Sequence, residues 1–140
     1  KNKLYDAEII LNKILKIEPT YFKAYINIGV ICINQNKLYE AEKHFIKAIE
    51  INPDFELAYF NLGTVQEKLG KTEEAEKSFK KAIDLKPSYF EAFINLGTLY
   101  IGIGNFENAE KIANKCISIP IDPTLNQKDI NKIISVLNSF

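Results

Sequence analysis

The sequence contains no arginine, no tryptophan and no methionine, and only one histidine and two cysteines among 140 residues. Each scarcity excludes something. Without arginine there is no planar fork for bidentate capture of carboxylate or phosphate. Lysine carries every strong positive charge and the formal net charge is zero, so no concentrated basic face awaits nucleic acid or an anionic membrane. Two cysteines do not make the disulfide framework of a small secreted domain; Cys32 and Cys116 read as small core hydrophobes. A lone His44 leaves no Cys/His set with zinc-ligand spacing and no oriented base beside a nucleophile. The longest apolar runs are interrupted by asparagine and glycine, so none is long enough to span a bilayer, and no signal peptide is visible. Gly102 and Gly104 do not form a phosphate loop, because no strand pattern precedes them and no Gly-Lys-Ser/Thr follows. These grounds assign no catalytic residue, no metal and no cofactor, and the expected setting is the cytoplasm.

What is present is ordinary in amount and unusual in arrangement. The chain is 46% hydrophobic and 26% charged, which suits one soluble domain. Its residue types recur at a spacing of 34: Ala7, Leu11, Ile14, Pro19, Tyr25, Ile28 and Gly29; then Ala41, Phe45, Ala48, Pro53, Tyr59, Leu62 and Gly63; then Ala75, Phe79, Ala82, Pro87, Phe93, Leu96 and Gly97. A period of this length marks a repeat architecture, in which each unit buries its apolar face only against its neighbours.

Within each unit the apolar spacing is i, i+4, i+7, the mark of one helix face. It predicts helices over about 3–17, 21–34, 38–51, 55–68, 72–85, 89–102 and 106–118. Pro19, Pro53 and Pro87 close alternate helices, because the residue before proline is pushed out of the helical region. Asn36, Gly70 and Gly104 stop the others in the left-handed conformation. Thr20, Asp54, Thr72 and the pair Ser88 and Glu91 are the expected N-terminal caps. Gly29, Gly63 and Gly97 stand in helix interiors, where each costs roughly 1 kcal/mol against alanine. Close approach of a partner helix explains them, with Ala41, Ala75 and Ala109 as matching small residues and Tyr25, Tyr59, Phe93, Phe45 and Phe79 filling the space beside. Paired helices form antiparallel hairpins, and stacked hairpins form a superhelix.

These residues resemble the tetratricopeptide repeat family, whose pattern runs aromatic, Leu-Gly, aromatic, then Ala, Phe, Ala and Pro. The resemblance covers residues 3 to about 119. It implies an all-α solenoid of helical hairpins in a right-handed superhelix: a half repeat at 1–19, full repeats at about 20–53, 54–87 and 88–121, and a capping helix at 124–140. The tail stripe Ile130, Ile133, Ile134 and Leu137 suits that cap. Departures are Gln66 in place of an aromatic, Ala113 in place of Phe, and Pro120 and Pro123 flanking Ile121. The first unit lacks its opening helix and no methionine stands at position 1, so a piece of a longer protein is expected. A weaker resemblance links the tail, from Ala109 and Glu110 through Pro120, Asp122 and Pro123 to Asp129, to the C-terminal end of sugar-nucleotide aminotransferases.

In this family the first helix of each hairpin lines a concave groove. Asn27, Asn61 and Asn95 occupy one place in three successive repeats, with Ile26, Phe60 and Ile94 beside them, Val30, Thr64 and Thr98 one turn on, and Ile33, Glu67 and Ile101 further out. Two readings of the asparagines stand together: an amide ladder for a peptide backbone, or a contact between neighbouring helices. The carboxylate clamp that some relatives use for chaperone tails is disfavoured here, since its lysine and asparagine places hold Ile26 and Val30, and the last repeat offers Glu91 and Asn95. A ligand with apolar side chains fits better. Burying Phe60 contributes roughly 1.5 to 3 kcal/mol, and each amide bond about 0.5 to 1.5 kcal/mol. The expected function is a non-catalytic scaffold holding a protein or peptide partner. The alternative is a substrate-recruiting appendage of a glycosyltransferase or sugar-nucleotide aminotransferase. Self-association through the exposed strip of Ala7, Leu11 and Ile14 is a further expectation.

Overall fold

The stops and the period set the helices. The computed structural model describes residues 2–119 and 135, and the ladder of helices it contains is α1 (Asn2–Ile17), α2 (Phe22–Asn34), α3 (Leu38–Ile51), α4 (Glu56–Lys68), α5 (Thr72–Leu85), α6 (Phe90–Gly102) and α7 (Phe106–Ile117). No strand occurs among the described residues. Each helix lies within about a residue of the span its spacing predicts. The capping helix expected at 124–140, with Pro120, Pro123 and the tail stripe, lies outside the described residues.

Asn36, Gly70 and Gly104 all have positive φ, at 60°, 74° and 73°. Each makes the same double hydrogen bond. Asn36 N donates to Ile33 O at 2.9 Å and Lys37 N to Cys32 O at 2.8 Å; Gly70 with Lys71, and Gly104 with Asn105, repeat the pair. This closure satisfies carbonyls that a helix end leaves free. The N-terminal caps depart from expectation. Tyr21, Phe55 and Tyr89 hold the cap positions of α2, α4 and α6 without a side-chain cap bond, and Lys71, not Thr72, holds that of α5. Packing explains two of these choices. Phe55 meets Phe22 edge to face at 5.0 Å, and Tyr89 lies 5.0 Å from Phe60. Burying a ring outweighs the roughly 1 kcal/mol of a polar cap. Asn105 alone keeps the polar form, its side chain accepting from Asn108 N at 3.2 Å.

Helices pair as α2 with α3, α4 with α5 and α6 with α7, and each pair stacks on the next. The crossing inside a hairpin is set by glycine. A Cβ placed on Gly29 stands 2.6 Å from Phe45 Cε1, and one on Gly63 stands 2.8 Å from Phe79 Cδ1. Phe45, Phe79 and the alanines around them are fully buried. Two apolar clusters result, one centred on Phe45 between α2, α3 and α4, the other on Phe79 and Phe93 between α5, α6 and α7. Cys32 and Cys116 are free thiols inside these clusters, and burial pushes both thiols up in pKa.

One polar device recurs across the stacking joints. Glu8, Glu42 and Glu76 stand 34 residues apart. Each accepts a hydrogen bond from the following unit: Glu8 from Gln35 at 3.0 Å, Glu42 from Lys71 at 2.7 Å, and Glu76 from Tyr100 at 2.8 Å. The acceptor is constant and the donor is not. A second polar pair fills the site where Gln66 replaces an aromatic: Ser78 Oγ donates to Gln66 Oε1 at 2.7 Å, so the buried amide oxygen is satisfied.

The Glu76 latch predicts a pH-dependent effect. Its carboxyl is held below the ordinary value of 4.5 by the Lys80 hydrogen bond chiefly, against burial, with Tyr100 adding to the lowering. A lowered folded-state pKa contributes stability above the unfolded value, and that contribution is lost as pH falls through the folded value. Tyr100→Phe keeps the ring and removes the donor. It is expected to cost about 1.5–3 kcal/mol at neutral pH, the range for a hydrogen bond to a charged group, and less in acid. Urea denaturation at pH 7 and pH 3 checks this. An equal loss at both would mean that the hydroxyl does not act through the carboxylate.

Candidate functional site

The first helices of successive hairpins touch one another, α2 with α4 and α4 with α6. The second helices make no comparable contact with each other among the described residues. The stack therefore curves with α2, α4 and α6 on its inner side, and their outward faces form one wall.

The nine residues expected in that wall divide into three groups. Ile26 and Ile94 are only 4% and 6% exposed. Ile26 belongs to the Phe45 cluster, so neither offers appreciable area to a ligand, and their expected groove role is corrected to packing. Phe60 is half-buried, wedged between Phe79 at 6.1 Å and Tyr89 at 5.0 Å. It presents one edge outward while bracing the joint between the second and third hairpins. The remaining six keep access: Asn27, Val30 and Thr98 are exposed, and Asn61, Thr64 and Asn95 are half-buried.

The polar groups of this wall differ in what they have free. Thr64 Oγ1 donates to Phe60 O at 3.0 Å and Thr98 Oγ1 to Asn95 O at 2.8 Å, so both hydroxyl protons are used inside their own helices. Among the described residues no hydrogen bond engages the carboxamides of Asn27, Asn61 or Asn95. Each retains donors and acceptors for an incoming chain. Further along stands Glu67, exposed, between the half-buried Ile33 of α2 and Ile101 of α6 in repeat register. Partial burial raises its carboxyl pKa, against a smaller opposing effect of Lys68. His44 lies on the other side of its hairpin, 6.1 Å from the Tyr25 ring, and burial lowers its pKa. It has no place in the wall.

One feature of the site is not evident from the repeat pattern. Asn27 and Val30 do not simply continue the wall. With Ile31 they line a cleft of about 430 Å³ whose opposite side is Ala7, Ile10 and Leu11 of α1. In the 34-residue register Ile10 takes the place of His44 and Ser78, and among the described residues no helix lies over α1 as α2 lies over α3. Among the described residues no group of three or more His, Cys, Asp or Glu could hold a metal ion, and no helix is long and apolar enough to cross a membrane.

Family profiles of the tetratricopeptide repeat match residues 22–55, 57–89 and 90–120. No curated protein matches by sequence. Solved structures of MamA share the fold: one superposes with a TM-score of 0.78 at 24% identity, over 94% of this chain and 71% of that one. Another gives 0.76 at 25% identity over 86% and 70%. MamA from residue 41 to its end, from Desulfovibrio magneticus RS-1, gives 0.71 at 18% identity over 99% and 68%. The resemblance of the tail to sugar-nucleotide aminotransferases is not borne out: the matched profiles are helical repeats, and most of that tail lies outside the described residues.

Proposed function

This chain belongs to the tetratricopeptide repeat family of protein-interaction scaffolds, and from that premise we propose that it acts without catalysis, holding an extended peptide or partner segment along the inner wall of α2, α4 and α6. The observation that carries the reading is the run of unengaged carboxamides, Asn61 and Asn95 above all, set one repeat apart beside apolar side chains. An extended backbone can exchange hydrogen bonds with both amides, and its side chains meet the edge of Phe60, Ile33 and Ile101. Glu67 is the acidic group among these apolar neighbours. It favours a partner with a hydrogen-bond donor or a positive charge at that point, since the desolvation it already suffers is offset best by a charged donor.

Zero net charge and the lack of arginine support a protein partner over nucleic acid or an anionic membrane. Two buried free thiols suit a reducing cytoplasm. Each amide contributes about 0.5–1.5 kcal/mol net, so several repeats acting together suit micromolar affinity after ordering costs.

The test must spare Phe60, whose ring braces the core. Replacing Thr64 and Thr98 with arginine, together with Asn61→Ala and Asn95→Ala, blocks the wall at accessible positions. Capture of partners from the proteome of the source cell is expected to fall by tenfold or more, with the circular dichroism spectrum unchanged. Undiminished capture by this variant would move the binding surface off the wall.

A further inference from the structure

We propose that the joint between α4 and α6 holds a subsite for the guanidinium of one arginine of the partner, at the N-terminal edge of the inner wall. The proposal rests on that wall being the partner's surface and names one side chain the surface selects. Three groups meet there: Glu56 at the start of α4, Tyr89 at the N-terminal cap of α6 and Glu91 in the first turn of α6. Tyr89 is only 9% exposed, its ring 5.0 Å from Phe60. A buried phenol ordinarily finds a hydrogen-bond partner; among the described residues this hydroxyl has none. It faces the two carboxylates: burial first, then the charges of Glu91 and Glu56, push its pKa up. It therefore stays a neutral hydroxyl that can accept from a cation. Glu91 is exposed and stands one turn before Asn95, on the same face of α6. The capping bond expected of Glu91 with Ser88 is not made, so its carboxylate is unspent.

The repeat itself shows that packing does not require these groups. One joint earlier, in the same register, Phe22, Phe55 and Leu57 hold the places of Glu56, Tyr89 and Glu91. There Phe22 and Phe55 close the joint edge to face. Between α4 and α6 that apolar seal is replaced by a carboxylate, a phenol and a second carboxylate. Lys86, which takes the place of Asn52, marks what the set attracts. Its Nζ stands 5.2 Å over the Tyr89 ring and 3.9 Å from Glu56 Oε1. The contact is an ion pair without a hydrogen bond, from a side chain 50% exposed, so it is weak and displaceable. A guanidinium serves the place better than an ammonium. Its plane stacks on an aromatic ring while its fork donates to carboxylate oxygens. The chain has no arginine of its own, so this donor comes from the partner.

The experiment titrates the isotopically labelled full chain with N-acetyl-arginine amide and, separately, with N-acetyl-lysine amide. The arginine probe is expected to shift the amide signals of Glu56, Phe60, Tyr89 and Glu91 saturably, and to bind about threefold tighter than the lysine probe. Glu56→Gln with Glu91→Gln keeps the shapes and removes both charges. It is expected to weaken binding about tenfold, the size of a lost hydrogen bond to a charged group, with the spectrum unchanged elsewhere. Tyr89→Phe keeps the ring and is expected to weaken it about threefold. Lys86→Ala removes the internal competitor and is expected to strengthen binding about twofold, as release of a weak surface pair allows; a purely structural Lys86 would give no gain. Shifts that do not saturate, equal binding of the lysine probe, or binding that survives the double variant overturns the proposal and leaves the wall standing. The wall fails on a different result, undiminished partner capture by the variant at Asn61, Thr64, Asn95 and Thr98.

Discussion

Phe79→Ala is expected to lower the unfolding free energy by about 3–5 kcal/mol, the range for removing a buried aromatic ring. The side chain is fully buried, inside the second hairpin and at its joint with the third. Its ring lies beneath Gly63 of α4, 6.1 Å from Phe60, and within the cluster that joins α5 to α6 and α7. The glycine above cannot move its side chain in to fill the hole, having none, and the helix backbones on both sides are held by their own ladders. The cavity therefore stays largely open, which places the cost toward the upper part of the range. Stacked repeats are stabilised by each hairpin and by each joint between hairpins. This ring serves the second hairpin and its joint with the third. Since a domain holds only about 5–15 kcal/mol in total, the variant should unfold at far lower urea than the parent, and amide protection should fall first in α4 and α5. A loss under about 1 kcal/mol would mean that the joint repacks freely, contrary to the close fit between Gly63 and the ring.

Gly63→Ala sets two effects against each other, and the fit decides the sign. Alanine in a helix interior is better than glycine by about 0.8–1.0 kcal/mol. Its Cβ, however, meets Phe79 Cδ1 and Cε1 at 2.8 Å and Cγ at 3.2 Å. These atoms belong to a rigid, fully buried ring, so the helices must part. Overpacking of this kind costs typically 1–3 kcal/mol, so the variant should be destabilised despite its better propensity. Gly102 provides the opposite case at the end of α6, with nothing within 4 Å of an added Cβ. Gly102→Ala should therefore be neutral or gain up to about 1 kcal/mol. Phe79→Leu removes the obstructing ring atoms, so Gly63→Ala should cost less in that background, with a coupling above roughly 0.5 kcal/mol in the double-mutant cycle. Thermal or urea unfolding of the four proteins reads all of these. Strict additivity would show that the crossing distance is not set by this contact.

Sequence and structure agree most closely where local chemistry acts alone. Pro19, Pro53 and Pro87 end helices because a pyrrolidine ring constrains its predecessor. Asn36, Gly70 and Gly104 end the others because they enter the left-handed region with little penalty. Neither effect depends on a distant neighbour, so both are legible residue by residue. The paired glycines and phenylalanines are legible too, because the 34-residue register repeats the same crossing. Caps fail this test. Thr20, Asp54 and Ser88 are good cap chemistry, but Tyr21, Phe55 and Tyr89 take the positions, and at Phe55 and Tyr89 an aromatic contact from another helix is worth more.

The wall divides along the same line. Composition and period determine that α2, α4 and α6 bring Asn27, Asn61 and Asn95 to one side, since helices of equal length and register must superpose. Which neighbours of those asparagines can be reached is a tertiary matter. Ile26 and Ile94 are buried, and Phe60 is wedged against Phe79 and Tyr89. Asn27 belongs to a cleft with α1 while its two counterparts do not. A residue's accessibility depends on what the curvature of the stack lays over it, and that cover comes from side chains one repeat away. A register tells which residues are equivalent; only the packed helices decide which equivalents remain uncovered.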